Sequence, residues 1–191
     1  MTMTRAEPSA RATSIARAHF AASNAIAHEF FGTHADDIAR ACQSMATRFQ
    51  KGGRLLVYGE GAQLSDVAHV VVEFLHPVVV GKRALPAIAL PGDSARDLAG
   101  HLETFARAED MLLVLCAGQL HGRLSDLVVA AAGRGVLTVV LSGHGTLPAP
   151  ADHAFAVPSR DECIVQETHE MLYHILWELT HVFLDHRGSA A

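Results

Sequence analysis

A histidine and a glutamate stand four residues apart in the run His69-Val70-Val71-Val72-Glu73. On a helix that spacing puts both side chains on one face, one turn apart. An imidazole and a carboxylate so placed suit either a two-point grip on a zinc-type cation or an acid/base pair. Pairs of this kind are common on solvated faces. Here Val70, Val71, Val72 and Phe74 make the helix largely apolar, and an unemployed carboxylate in such surroundings is costly. A second set lies near the C-terminus: Gln166, His169, His174 and His181, with Glu167 and Glu170 among them. His169 and His181 read as members of a polar stripe. His174 sits beside Leu172, Ile175 and Leu176, so its ring calls for a partner.

The elements that position these groups are legible from the hydrophobic period. Residues 1–12, rich in Ser, Thr, Ala and Arg, read as a flexible leader. Apolar residues then recur at helical spacing over 13–31 and 34–50, with Gly32 as the stop between two N-terminal helices. After Gly52-Gly53 the pattern changes to short apolar runs at 54–59, 86–90, 111–115, 136–141 and 153–157. Helical segments at 65–75, 94–108, 123–133 and 161–186 complete the alternation, with Ser65 or Asp66 placed to cap the first of them. Strands that are continuous apolar runs and alternate with helices predict an α/β fold: a five-stranded parallel sheet covered on both faces, in three layers. Residues 13–187 form one domain on this reading. Ligands of such sheets sit beyond the carboxyl ends of the strands, here the turns 59–65, 116–122 and 142–145.

Composition narrows the function classes. The chain has 191 residues, half of them apolar, which suits one domain with a proper core and excludes disorder. No apolar run approaches the ~18–20 residues that span a bilayer, and the first twenty residues hold no apolar signal core. The net charge of −5, without a basic run, argues against nucleic acid as a partner. Three well-separated cysteines suggest neither a disulfide framework nor a thiolate zinc site, and a reducing cytoplasm is the expected compartment.

The order of features resembles a known family. The run Gly-Gly-Arg-Leu-Leu-Val-Tyr-Gly-Glu-Gly, followed by Asp66, His69 and Glu73, is similar to the sugar isomerase (SIS) fold, and within it to the phosphoheptose isomerases. That family interconverts sedoheptulose 7-phosphate and a heptose phosphate. Residues 83–90, the punctuation Leu141-Ser142-Gly143 and Val157-Pro158-Ser159, and the run from Gln166 through His174 to Leu176 extend the likeness over about residues 15–185. The resemblance implies a zinc or other divalent-metal site made by His69, Glu73, Gln166 and His174, with Glu73 and His174 also catalytic. It further implies a homotetramer with sites at subunit interfaces. Gln166 and His174 are eight residues apart, ~12 Å along a straight helix. Either that helix begins irregularly or the two ligands come from different subunits.

The departures are equally specific. Where the family has Gly-Asn-Gly-Gly-Ser this chain has Gly59-Glu60-Gly61-Ala62-Gln63, and where it has the phosphate loop Ser-Thr-Ser-Gly-Asn-Ser this chain has Cys116-Ala117-Gly118-Gln119-Leu120-His121. The sugar site implied by the resemblance therefore contains Glu60, Gly61, Ala62, Cys116, Ala117, Gly118, His121 and Gln166. An Asn-Asp segment that closes over the sugar has no counterpart. The expectation is a metal-binding relative with altered or lost phosphosugar isomerase activity, with an active isomerase and a non-catalytic protein-binding scaffold as the other readings.

Overall fold

A computed structural model describes residues 6–91, 95–120, 122–145 and 151–188. Five strands, β1 (Leu55–Gly59), β2 (Ala87–Ala89), β3 (Met111–Leu115), β4 (Leu137–Ser142) and β5 (His153–Ala156), pair in the order β2-β1-β3-β4-β5. Every pairing is parallel, with Leu55 opposite Met111 and Met111 opposite Leu137. Parallel strands need long crossovers, and helices α1 (Ala6–Gln50), α2 (Leu64–Leu75), α3 (Ala95–Phe105), α4 (Gly122–Gly133) and α5 (Glu162–Gly188) flank them.

Two cores result, one on each side of the sheet. Leu55 and Val57 of β1 face the side covered by α1, α2 and α5, where they meet Met45, Val70 and Leu172. Leu56 and Tyr58 face the side of α3 and α4, with Leu98, Leu102 and Leu124. This period-two sorting on strands apolar throughout is what a sheet buried on both faces requires. The three-layer expectation holds.

The two N-terminal helices expected from Gly32 are one helix of 45 residues. A glycine that ends a helix adopts a positive φ, and Gly32 does not. Its interior penalty of ~1 kcal/mol is small beside the packing of Phe30, Ile38, Cys42 and Met45 on either side of it. Of the expected leader, residues 1–5 lie outside the described residues, and the chain is helical from Ala6.

Asp110 closes the amino-terminal edge of the sheet. Fully buried ahead of β3, it accepts hydrogen bonds from Arg54 Nη2 at 2.7 Å and from the backbone N–H groups of Arg54 and Arg107 at 2.9 and 3.0 Å. Burial opposes its ionisation, but these donors outweigh it and hold the carboxyl below the usual carboxylate range. The opposite edge is left for the site. Strand order reverses direction between β1 and β3, and the chain leaves their carboxyl ends by Gly59 and Cys116, opening a crevice. A third loop is docked against it: Gly143 N–H donates to the carbonyls of Cys116 and Gly118 at 3.1 and 2.9 Å. A Cβ at Gly143 would lie 2.0 Å from Ala117 O, so only glycine fits there.

Candidate active site

The crevice is a cavity of about 690 Å³, lined among others by Glu60, Ala62, Gln63, Cys116, Ala117, Gly118 and Gln119. The expected sugar-site residues Glu60, Ala62, Cys116, Ala117 and Gly118 thus come together, and Gly61 opens the 3-10 turn Gly61–Gln63 that leads into α2, with φ +58°. His121 lies outside the described residues.

The cavity's chemistry follows from what replaces a phosphate loop. Cys116 is buried, and its thiol points back to the carbonyls of Gly118 and Gln119 at 3.4 and 3.3 Å; burial pushes its pKa up. No side chain from Cys116 to Gln119 carries a hydroxyl. Arg123, in the first turn of α4, pairs with Glu60 Oε1 at 2.5 Å, and Tyr58 OH donates to the same oxygen at 3.0 Å. The Arg123 charge at that helix end is thereby matched by Glu60, from the turn that follows β1. Gln63 is 3% exposed, and its Oε1 has no hydrogen-bond partner among the described residues. Arg160 and Glu162 bring one charge of each sign to the cavity.

A second group of candidate residues, none of which lines that cavity, lies where α2 faces α5. His69 and His174 meet with their Nε2 atoms 3.4 Å apart, and Glu73 Oε2 lies 3.6 Å from His174 Nε2. Glu73 Oε2 is buried and has no hydrogen bond among the described residues. Burial, and then the neighbouring Glu170, push the Glu73 carboxyl up to about 7. Burial and then His69 lower the pKa of His174. Gln166 does not join this group: its amide Nε2 donates to both carboxylate oxygens of Asp66, at 3.3 and 3.1 Å. Because α5 is helical from Glu162 through Gly188, the irregular start considered for Gln166 is not present.

Three neighbours were not assigned to the site from the sequence, although Glu170 was named in the C-terminal set and Asp66 as a possible cap. Tyr173, completely buried, places its hydroxyl 3.0 Å from His69 Nδ1 and 3.5 Å from Asp66 Oδ1. Asp66, expected as a helix cap, makes no cap; it is 4% exposed and takes the Gln166 and Tyr173 contacts instead. Glu170 brings a carboxylate oxygen 3.8 Å from His69 Nδ1, and one ligating atom each of His69, Glu170 and His174 lie within 4.8 Å of one another. The spacing Glu170, Tyr173, His174 on one helix was visible, but not which helix it would face. The polar-stripe reading of His169 and His181 is corrected. Both are buried, His169 Nε2 donates to Ser142 O, and burial pushes His169 down to about 4. His181 sits between the carbonyls of Trp177 and Arg83.

The donor set fits a divalent cation. Ligands ~2.0–2.1 Å from a tetrahedral zinc are about 3.3 Å apart, close to the observed 3.4 Å between imidazole nitrogens. The unpartnered buried oxygen of Glu73 is the kind of group a cation satisfies. Nitrogen and oxygen donors without thiolate suit zinc and several other first-row metals.

No protein-family model matches the chain. Among curated proteins it is similar to the phosphoheptose isomerase of Halorhodospira halophila, 32% identical over 162 residues, 76% of this chain and 82% of that one. The phosphoheptose isomerase of Solidesulfovibrio magneticus is 28% identical over 168 residues, covering 81% and 82%. In structure the chain resembles a phosphoheptose isomerase from Francisella tularensis, with a TM-score of 0.80 and 22% identity over 89% of this chain and 98% of that one. The fold is therefore shared, and because the likeness to the curated relatives is one of sequence over most of both chains, this chain belongs to the phosphoheptose isomerase family.

Proposed function

We propose that this chain is a divalent-metal-binding member of the family whose phosphosugar isomerase activity is altered or lost. His69, Glu73 and His174 would hold the cation, most simply zinc. When bound, the cation would polarise a sugar carbonyl. The chain's own groups suit aldose–ketose chemistry: the Glu73 carboxylate, beside His174, would take a proton from one of C1 and C2 of a sugar and return it to the other. His174, 3.6 Å from it, would exchange protons with the sugar oxygens through the ring nitrogen that does not hold the cation.

The observation that carries the altered-substrate reading is the cavity beyond β1 and β3. A phosphate dianion anchors a sugar through several aligned donors, each charge-assisted bond contributing ~1.5–3 kcal/mol. The segment from Cys116 to Gln119 offers no hydroxyl, its thiol is turned onto backbone carbonyls, and Glu60 matches Arg123. Without that anchor the reacting carbons are not held against Glu73, and positioning is worth up to ~7–11 kcal/mol. Metal-loaded protein is therefore expected to convert sedoheptulose 7-phosphate far more slowly than the ~1–1000 per second of ordinary enzymes. Turnover in that range would overturn the reading.

Arg160 favours a second reading, an active phosphosugar isomerase with a relocated anchor, because it is among the residues lining the same cavity and a guanidinium suits a planar grip on an oxyanion. Ordinary turnover together with a raised KM in Arg160→Ala would select it.

A further inference from the structure

The pairing of α2 with α5 says more about the metal site than the spacing of its ligands does. Gln166, the fourth ligand expected from the family, spends its amide on Asp66 and lies two helical turns from His174. Glu170 lies midway, one turn before His174 on the same face of α5. Its carboxylate is half-exposed and 3.8 Å from Nδ1 of His69, and one ligating atom each of His69, Glu170 and His174 lie within 4.8 Å of one another, a spread that side-chain rotation can close around a cation. Glu170 and Glu73 bring two carboxyl groups to the imidazoles, 3.8 Å from His69 and 3.6 Å from His174, a pair whose ionised forms a divalent cation would neutralise.

Tyr173 supplies the other half. A phenol has one proton, and the Asp66 carboxylate can only accept. With the hydroxyl donating to Asp66, the phenolic oxygen accepts from His69 Nδ1–H. That arrangement leaves the lone pair on Nε2, the atom that faces His174 Nε2. Outer partners of this type fix the tautomer of a ligating histidine.

We propose that this chain completes its metal site from its own α5, with Glu170 as a ligand beside His69, Glu73 and His174, and with Tyr173, held by Asp66, as the positioning residue that sets the tautomer of His69. Gln166 is then a support for Asp66. This rests on the metal-binding reading above, and the two fail differently.

The test is titration of the purified, metal-free full chain with Co²⁺, followed by its visible absorption and by competition with a chelating indicator. Wild type should take one ion per chain and His174→Ala none. Glu170→Gln, which keeps shape at a half-exposed position, should weaken binding by more than the ~10–100-fold expected of Tyr173→Phe and should change the cobalt spectrum. Gln166→Ala should weaken it less than tenfold. Thermal midpoints of the variants exclude unfolding as the cause. If wild type binds but Glu170→Gln binds equally well, or if Gln166→Ala is the more damaging change, the Glu170 assignment is overturned and the metal reading stands. If Tyr173→Phe leaves affinity unchanged, its positioning role is overturned. If wild type binds no ion, both readings fall.

Discussion

At the scale of single residues, two tests separate stability from function. Asp110 is ionised and fully hydrogen-bonded at the amino edge of the sheet, with its carboxyl depressed. Its contribution is complete above the unfolded carboxylate value of ~3.9 and is lost as pH falls through its lower folded value. Asp110→Asn should cost at least ~1.5–3 kcal/mol near pH 7, and the difference from wild type should shrink toward pH 3. Urea unfolding at several pH values measures this, and a difference independent of pH would refute it. In the cavity, Ala117→Ser with Gly118→Ser restores two hydroxyls, and a Cβ at position 118 meets nothing within 4 Å. Sedoheptulose 7-phosphate should then raise the thermal midpoint more than it does for wild type, tightening by tenfold or more. Turnover should lag behind, because the closing segment that the family resemblance implies has no counterpart in the sequence. An unchanged shift would mean that the loop is not the anchor.

At the scale of elements, α1 and the Gly143 loop make opposite predictions for glycine replacement. Gly32 is helical, and an added Cβ meets nothing within 4 Å, so Gly32→Ala should stabilise by ~0.5–1 kcal/mol. Were Gly32 the end of a helix, alanine would destabilise, and thermal unfolding decides between the two. Gly143→Ala forces a Cβ into the Ala117 carbonyl. It should displace the Cys116–Gly118 loop, lower the thermal midpoint and abolish ligand-induced shifts from the cavity. A variant with wild-type stability would show that the loop yields easily.

At the scale of the whole molecule, α1 presents apolar side chains that the described residues leave largely exposed. Ile15 and Phe20 are 59% and 69% exposed on its first half. Exposed apolar side chains along one long helix suit an interface, and we expect self-association, most simply the homotetramer that the family resemblance implies. Light scattering at micromolar concentration should give a mass above one chain, reduced by Ile15→Glu with Phe20→Glu. A wild-type monomer would exclude the assembly. Among the described residues no helix is long and apolar enough to cross a membrane.

The central strands β1, β3 and β4 were legible because a parallel strand buried on both faces must be a continuous apolar run, as Leu112, Leu113 and Val114 show. His69 and Glu73 were legible as a pair because one helical turn is a local distance, and the crevice turns because they follow strand ends. By itself the sequence determined the alternation of elements, the layers and the His69–Glu73 pair of the proposed metal site. Only the tertiary structure decided that Gly32 stays helical, that His169 and His181 are buried, and that α5 turns Glu170 and Tyr173 toward His69 while Gln166 goes to Asp66. These outcomes depend on which face of one helix meets another, and that is set by the packing of the whole core against the sheet, which no spacing along a single segment records.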